Sequence, residues 1–181
     1  MGFFSMQGLK LNMRLLLLGM CLTVLAACAE PTKVIPCPPI LIPLDTERVT
    51  RFAPGSGRDI TDVVMRGEIR FLSGECTVKD EEVEMTFPIA VRGLRGPAQK
   101  TGVELIRLFL AVSTPDRQIL NRREMDMTLN FEGNHTTTVS ADTVTVVIPK
   151  KEEQSARSFI LFIGLVLSEE ELQYNREESR R

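Results

Sequence analysis

Tryptophan is absent from this chain, and tyrosine and histidine occur once each, as Tyr174 and His135. Scarce aromatic rings argue against a sugar-stacking platform, and a lone histidine cannot seed a histidine-rich metal cluster. No Cys-x-x-Cys pair is present, which removes the usual zinc and thiol-redox spacings. Basic charge is not in excess: 22 Lys and Arg face 24 Asp and Glu, whereas a nucleic-acid surface needs a basic face. The Gly-containing stretch Ala53-Pro54-Gly55-Ser56-Gly57 is not followed by Gly-Lys-Ser/Thr, so it is not a phosphate cradle. No nucleophile-elbow sequence accompanies His135, so a Ser-His-Asp arrangement has no support. The carboxylate groups Glu81-Glu82-Glu84 and Glu169-Glu170-Glu171 read as a solvated turn and a helix start, not as an acid-base pair. These exclusions leave a non-enzymatic chain without cofactor or metal as the expectation.

What is present begins at the N-terminus. Lys10 and Arg14 precede an apolar run, Leu15 to Ala27, interrupted only by Gly19 and Thr23. At about a dozen residues it is too short for a membrane span, which takes roughly 20. A basic start, a short apolar core and small residues at the cut site are the features of a secretory signal. The stretch Leu25-Ala26-Ala27-Cys28 resembles the lipobox of bacterial lipoproteins. The resemblance implies removal of residues 1–27, a diacylglyceryl thioether on Cys28 and acylation of its new amino group. Two or more acyl chains anchor stably where one does not. Ala29 rather than Asp follows the cysteine, the pattern of lipoproteins passed to the outer membrane in a two-membrane cell. The expected location is the periplasmic face of that membrane.

With Cys21 in the leader and Cys28 acylated, Cys37 and Cys76 remain. Two leftover thiols in an exported domain are expected to pair. Residues 28–44 carry Pro31, Pro36, Pro38, Pro39 and Pro43 and read as a semi-rigid tether. From Cys28 to Cys37 it would reach about 28 Å in polyproline II geometry. Ile40 to Leu44 are expected to lie against the domain or to add an edge strand.

Beyond the tether, residues 45–61 read as loop. Val63, Met65, Gly67, Ile69 and Phe71 then alternate with polar positions, the period-two pattern of a half-buried strand. Val83, Met85, Phe87, Ile89 and Val91 repeat it, with Pro88 marking an edge or a bulge. Val103 to Thr114 reads as a central strand. Gln118 to Phe131 reads as one strand or two, with Met125, Met127, Leu129 and Phe131 on one face. Thr136 to Ile148 is Thr- and Val-rich, which suits a strand. Phe159 to Leu167 reads as a strand buried on both faces. About seven strands predict a single β-sandwich over residues 45–176, immunoglobulin-like, with a small β-barrel as the alternative. Ser168 and Glu171 have capping-box spacing, which predicts a short helix through about Arg176 and a frayed tail at 177–181.

The lipobox followed by Cys37-Pro38-Pro39, the stretch Thr50 to Val63, Arg95-Gly96-Pro97-Ala98, and Gly164 to Arg176 together resemble a family of uncharacterised alphaproteobacterial lipoproteins. That resemblance implies envelope localisation and a single β domain, and it brings no catalytic residues. Two stretches are candidate partner-binding surfaces: Arg51, Arg58, Asp59 and Asp62 in the 50–62 loop, and Leu172 and Tyr174 in the tail. The competing bland reading is that the loop residues brace their own loop and the tail residues cap the sandwich. Arg92, Arg95 and Lys100 read as a wet loop, and His135 as an exposed turn residue. The leading expectation is a lipid-anchored module that binds or scaffolds another envelope protein. The alternative is a periplasmic carrier of a lipid or small apolar ligand, which needs an apolar cavity.

Overall fold

The computed structural model describes residues 36–55, 57–71 and 74–180. The leader, Cys28 and the first part of the tether lie outside the described residues. The compact unit that holds the described chain starts at Pro36.

Nine strands run through it: β1 (Ile40–Leu41), β2 (Arg48–Phe52), β3 (Val63–Phe71), β4 (Glu75–Val78), β5 (Glu82–Arg95), β6 (Val103–Ser113), β7 (Ile119–Asn130), β8 (Thr137–Pro149) and β9 (Ile160–Leu165). One helix, α1 (Glu169–Glu178), closes the chain. The strands form two sheets. One has the order β1-β9-β6-β7; in the other β2 pairs β3, β3 and β4 both pair β5, and β8 pairs β5. All contacts are antiparallel except β1 with β9. The sheets face each other as a sandwich, and neither closes on itself as a barrel.

The period-two pattern decides which side of each strand is dry. Met65, Ile69, Val83, Met85, Phe87, Ile89 and Val91 are buried from one sheet; Ile106, Leu108, Leu110, Met127, Leu129, Leu161 and Ile163 meet them from the other. Burying one large aliphatic or aromatic side chain is worth about 1.5–3 kcal/mol, so this shared layer is the main stabilising element. The expected inward row of Met125, Met127, Leu129 and Phe131 is present, though Met125 is only partly buried. β6 is central, flanked by β7 and β9, as its apolar run predicted; β9, read as buried on both faces, lies between β1 and β6 and is only partly covered at Ile160 and Phe162.

Three features depart from the sequence reading. The 45–61 stretch is not all loop, because Arg48–Phe52 pairs with β3. Arg92 and Arg95, read as loop residues with Lys100, lie in β5, whereas β7, left open as one strand or two, is one. Pro88 is not on an edge strand: β5 is flanked on both sides. Phe71 pairs with Ile89 and Glu75 with Thr86, so the ladder on that side stops at one and resumes at the other. Phe87 and Pro88 fall in the gap, where a residue without an amide hydrogen breaks no ladder bond. Gly74 makes the resumption possible, since a Cβ there would strike the Phe87 side chain and the Thr86 carbonyl.

The Cys37–Cys76 disulfide is formed, with the two Cα atoms 5.9 Å apart. Cys76 pairs with buried Met85 and so faces inward. The chain then follows β9, with the Leu161 amide donating to the Pro39 carbonyl and the Leu165 amide to the Thr46 carbonyl. It crosses to the other sheet as β2.

Candidate functional site

Two elements far apart in sequence meet at one end of the sandwich. β2 delivers Arg51 and Phe52 there, followed by the turn at Pro54-Gly55. Gly55 has φ +74°, the left-handed region that glycine enters without a steric penalty. β9 ends at the same place and releases the chain into α1. Ser168 caps that helix: its hydroxyl accepts from the Glu171 amide at 3.2 Å, and the Glu171 carboxylate accepts from the Ser168 amide at 2.8 Å. This reciprocal pair satisfies two otherwise orphaned donors.

Between loop and helix lies an open cleft of about 310 Å³, lined among others by Arg51, Phe52, Arg58, Glu170, Glu171 and Tyr174. Arg51 holds its floor. Its Nη1 donates to Glu104 Oε2 at 2.9 Å and to the Leu105 carbonyl at 3.1 Å, and its Nε to Glu171 Oε1 at 3.3 Å. The Glu104 side chain is 14% exposed and that of Glu171 17%, so these pairs are screened far less than surface pairs. Buried Gln99 supports Glu104 through an Nε2–Oε1 hydrogen bond of 2.7 Å. Arg58 spans the mouth, Nη2 to Glu170 Oε1 at 2.8 Å. Tyr174 packs edge-on to Phe52 with ring centroids 5.1 Å apart, a favoured aromatic geometry, and its hydroxyl donates to Glu178 at 3.1 Å.

The sequence-derived candidates therefore divide. Arg51, Arg58 and Tyr174 line the cleft. Asp59 and Asp62 do not: they form a local capping box around the short 3-10 turn Ile60–Asp62. Leu172 is half-buried in α1 outside the lining. The loop arginines are not held by Asp59 or Asp62 but reach across to α1 and β6. Arg95 donates to the Gly133 carbonyl at 2.8 Å, and His135 lies exposed in its turn.

Sequence reasoning missed Glu104 and Asn175. Asn175 is fully buried, and its Nδ2 donates to the Asp45 and Arg48 carbonyls at 2.8 and 2.7 Å. Ser179 Oγ adds a bond to Asp45 Oδ1 at 3.0 Å. Asp45 itself sits at φ +65°, a backbone state that Asp tolerates better than most side chains. Helix α1 thus continues two residues past Arg176, to Glu178, and its end is fastened. The only sequence hint was a short polar residue within the helix, at a position where the neighbouring turns are charged.

Among the described residues no cluster of three or more His, Cys, Asp or Glu side chains is placed to hold a metal ion, and no helix is long and apolar enough to cross a membrane. The fold and the cleft define a two-sheet β domain with a helix docked at one end. No protein-family model matches the chain, and no curated protein does. Among solved structures it is similar to the variable (V) domain of the AgI/II polypeptide BspA of Streptococcus agalactiae. The identity is 14%, over 78% of this chain and 84% of that one, with a TM-score of 0.23, an overlap too loose to inform function.

Proposed function

We propose that this chain is a lipid-anchored cell-envelope protein that acts as a non-enzymatic protein-binding or scaffolding module. The observation that carries this reading is the cleft itself. Two stretches nominated separately from sequence, 50–62 and 168–176, meet in one surface with two arginines, two glutamates and a half-buried aromatic pair. Such mixed, concave, aromatic-containing surfaces suit protein partners, whose interface anchors favour Tyr and Arg. The disulfide supports export, because structural disulfides persist in oxidising compartments. The anchor would be the lipid on Cys28 and the partner another envelope protein, met at the periplasmic face of the outer membrane.

A photo-cross-linking amino acid placed at Arg58 or Tyr174 in living cells tests the cleft. One or two envelope proteins should recur at both positions and be missing when the probe sits at Glu81, near the other end of β5. Equal capture at Glu81 would remove the cleft from the argument. Cys28→Ala should abolish lipid labelling, and unchanged labelling would sink the anchor.

A further inference from the structure

A second surface lies where the two sheets open along their β7 and β8 edges. Among the described residues no backbone hydrogen bond joins these two strands. The seam is dry where Met127 and Leu129 face inward. It widens toward the first half of β7 into a groove of about 330 Å³, at the small end of ligand pockets. Leu110, Val112 and Leu161 form its floor, and Leu120, Val146 and Ile148 contribute its sides. The inward row of β7 changes character here. Asn121 pairs with Val112 and Arg123 with Leu110, so both project from the core-facing side of the strand. Arg107 and Arg122 are matched to Asp126 and Glu124. Arg123 has no carboxylate partner among the described residues; its Nη2 donates to the Thr145 carbonyl at 2.9 Å.

We propose that this groove binds a single aliphatic chain bearing an anionic head, such as a free fatty acid, with the chain on the Leu110, Val112 and Leu161 floor and the carboxylate on Arg123. An apolar trough with one cation that lacks a carboxylate partner is complementary to that chemistry. A neutral apolar ligand would leave the cation unused, and a two-chain lipid exceeds the volume. The Thr145 carbonyl is a neutral acceptor, and exchanging it for a carboxylate strengthens the guanidinium bond. The site is separate from the loop–helix cleft and stands or falls without it.

Arg123 has a competing role. An inward-pointing charge on an edge strand also deters pairing with other chains. The test separates the two. The full-length protein, held in an amphipathic polymer rather than detergent, is titrated with radiolabelled dodecanoate, whose chain matches the groove volume. Unlabelled dodecanoate and dodecanol then compete. Saturable binding is expected, with dodecanoate competing about tenfold better than dodecanol. Arg123→Gln should erase that preference, Arg123→Lys should keep most of it, and Leu120→Asp at an exposed wall position should abolish binding. Absence of saturable binding would overturn the proposal, as would equal competition by acid and alcohol. So would an Arg123→Gln protein that keeps the preference and self-associates, which would mark the residue as an edge guard.

Discussion

At one end of β5, near Met85, the chain entering the domain is bonded covalently to β4 through Cys37 and Cys76. At the other end, near Arg95, the chain leaving the domain is fastened by α1, through Asn175, Ser179, Arg51 and Arg58. The first closure is a single covalent link that faces the apolar core. The second is a set of hydrogen bonds and ion pairs with one aromatic contact, Tyr174 on Phe52, and Asn175 is the sole fully buried residue of the helix. A covalent link is all-or-none and insensitive to salt. A polar latch is built of small terms that a partner's own charges can replace. The end that can be rearranged is therefore the end with the cleft.

The sharpest way to break this contrast is the disulfide. With the two cysteines 39 positions apart in sequence, the chain-entropy model gives a loss of about 4 kcal/mol on opening the bridge. Cys37→Ser with Cys76→Ser should lower the denaturant midpoint by a matching amount, measured against the oxidised protein. An unchanged midpoint would mean that the first closure is held by β1 and its neighbours instead. The strand pairing of β1 with β9 spans only two residues, which makes that outcome unexpected.

Next in size is Asn175. Its side chain satisfies two backbone carbonyls from inside the fold, and Asn175→Ala would leave both without a donor. The expected cost is about 1–3 kcal/mol. Because the loss falls on the latch, amide exchange should accelerate through Glu169–Glu178 before it does in β5 or β6. Uniform acceleration across the sandwich would show that α1 is integral to the core and not a separate latch. Ser168→Ala removes the reciprocal cap at the other end of the helix and should cost about 1 kcal/mol, again confined to α1. Arg51→Ala is expected to loosen the same helix. A double-mutant cycle with Glu171→Ala would isolate their pairing, which is half-exposed on the arginine side and so worth about 1 kcal/mol or less.

Which of these features could be read from the chain follows from the distance over which each is specified. Alternation along Val63–Phe71 or Val83–Val91 is a local property of the strand, and it placed both inner faces correctly. The capping box from Ser168 to Glu171 is four residues long and equally legible. The Cys37–Cys76 bond followed from elimination, since two thiols were left over. β2 was missed because three of its five residues are polar, and only Val49 carries the inward signal against Gly67. The cleft was legible in halves. Each half was marked by its charges and its aromatic, but the pairing of Arg51 with Glu171 spans 120 residues. The competing local reading, that the loop residues brace their own loop, therefore failed for the arginines. The Asp59 and Asp62 carboxylates are engaged by the backbone amides of Ile60 and Asp59, which are nearer and already fixed. Asn175 carried only the hint of a short polar residue within the helix, because its partners are carbonyls, which every residue has.

The smallest expected effect tests whether the latch pairs differ in kind from the ladder of charges on the outer faces. Arg107 binds Asp126 across the β6–β7 ladder with two hydrogen bonds, of 2.7 and 3.3 Å. The guanidinium hydrogen bond holds the Asp126 carboxyl below its ordinary value. A carboxyl depressed in the folded state contributes stability above its unfolded pKa. That contribution is lost as the pH falls through the folded one. Any benefit of this pair is therefore present at neutral pH and disappears in acid below about pH 4. The pair is solvent-exposed, so Asp126→Asn should scarcely move the denaturant midpoint at pH 7. The difference from the unsubstituted protein should close further at pH 3 and shrink with added salt. Glu104 is supported by buried Gln99 and largely shielded from water, so Glu104→Gln should shift the midpoint at pH 7 more than Asp126→Asn does, with weaker salt dependence. Equal shifts and equal salt dependence for both variants would mean that burial adds nothing to the latch and that its pairs are ordinary surface charges.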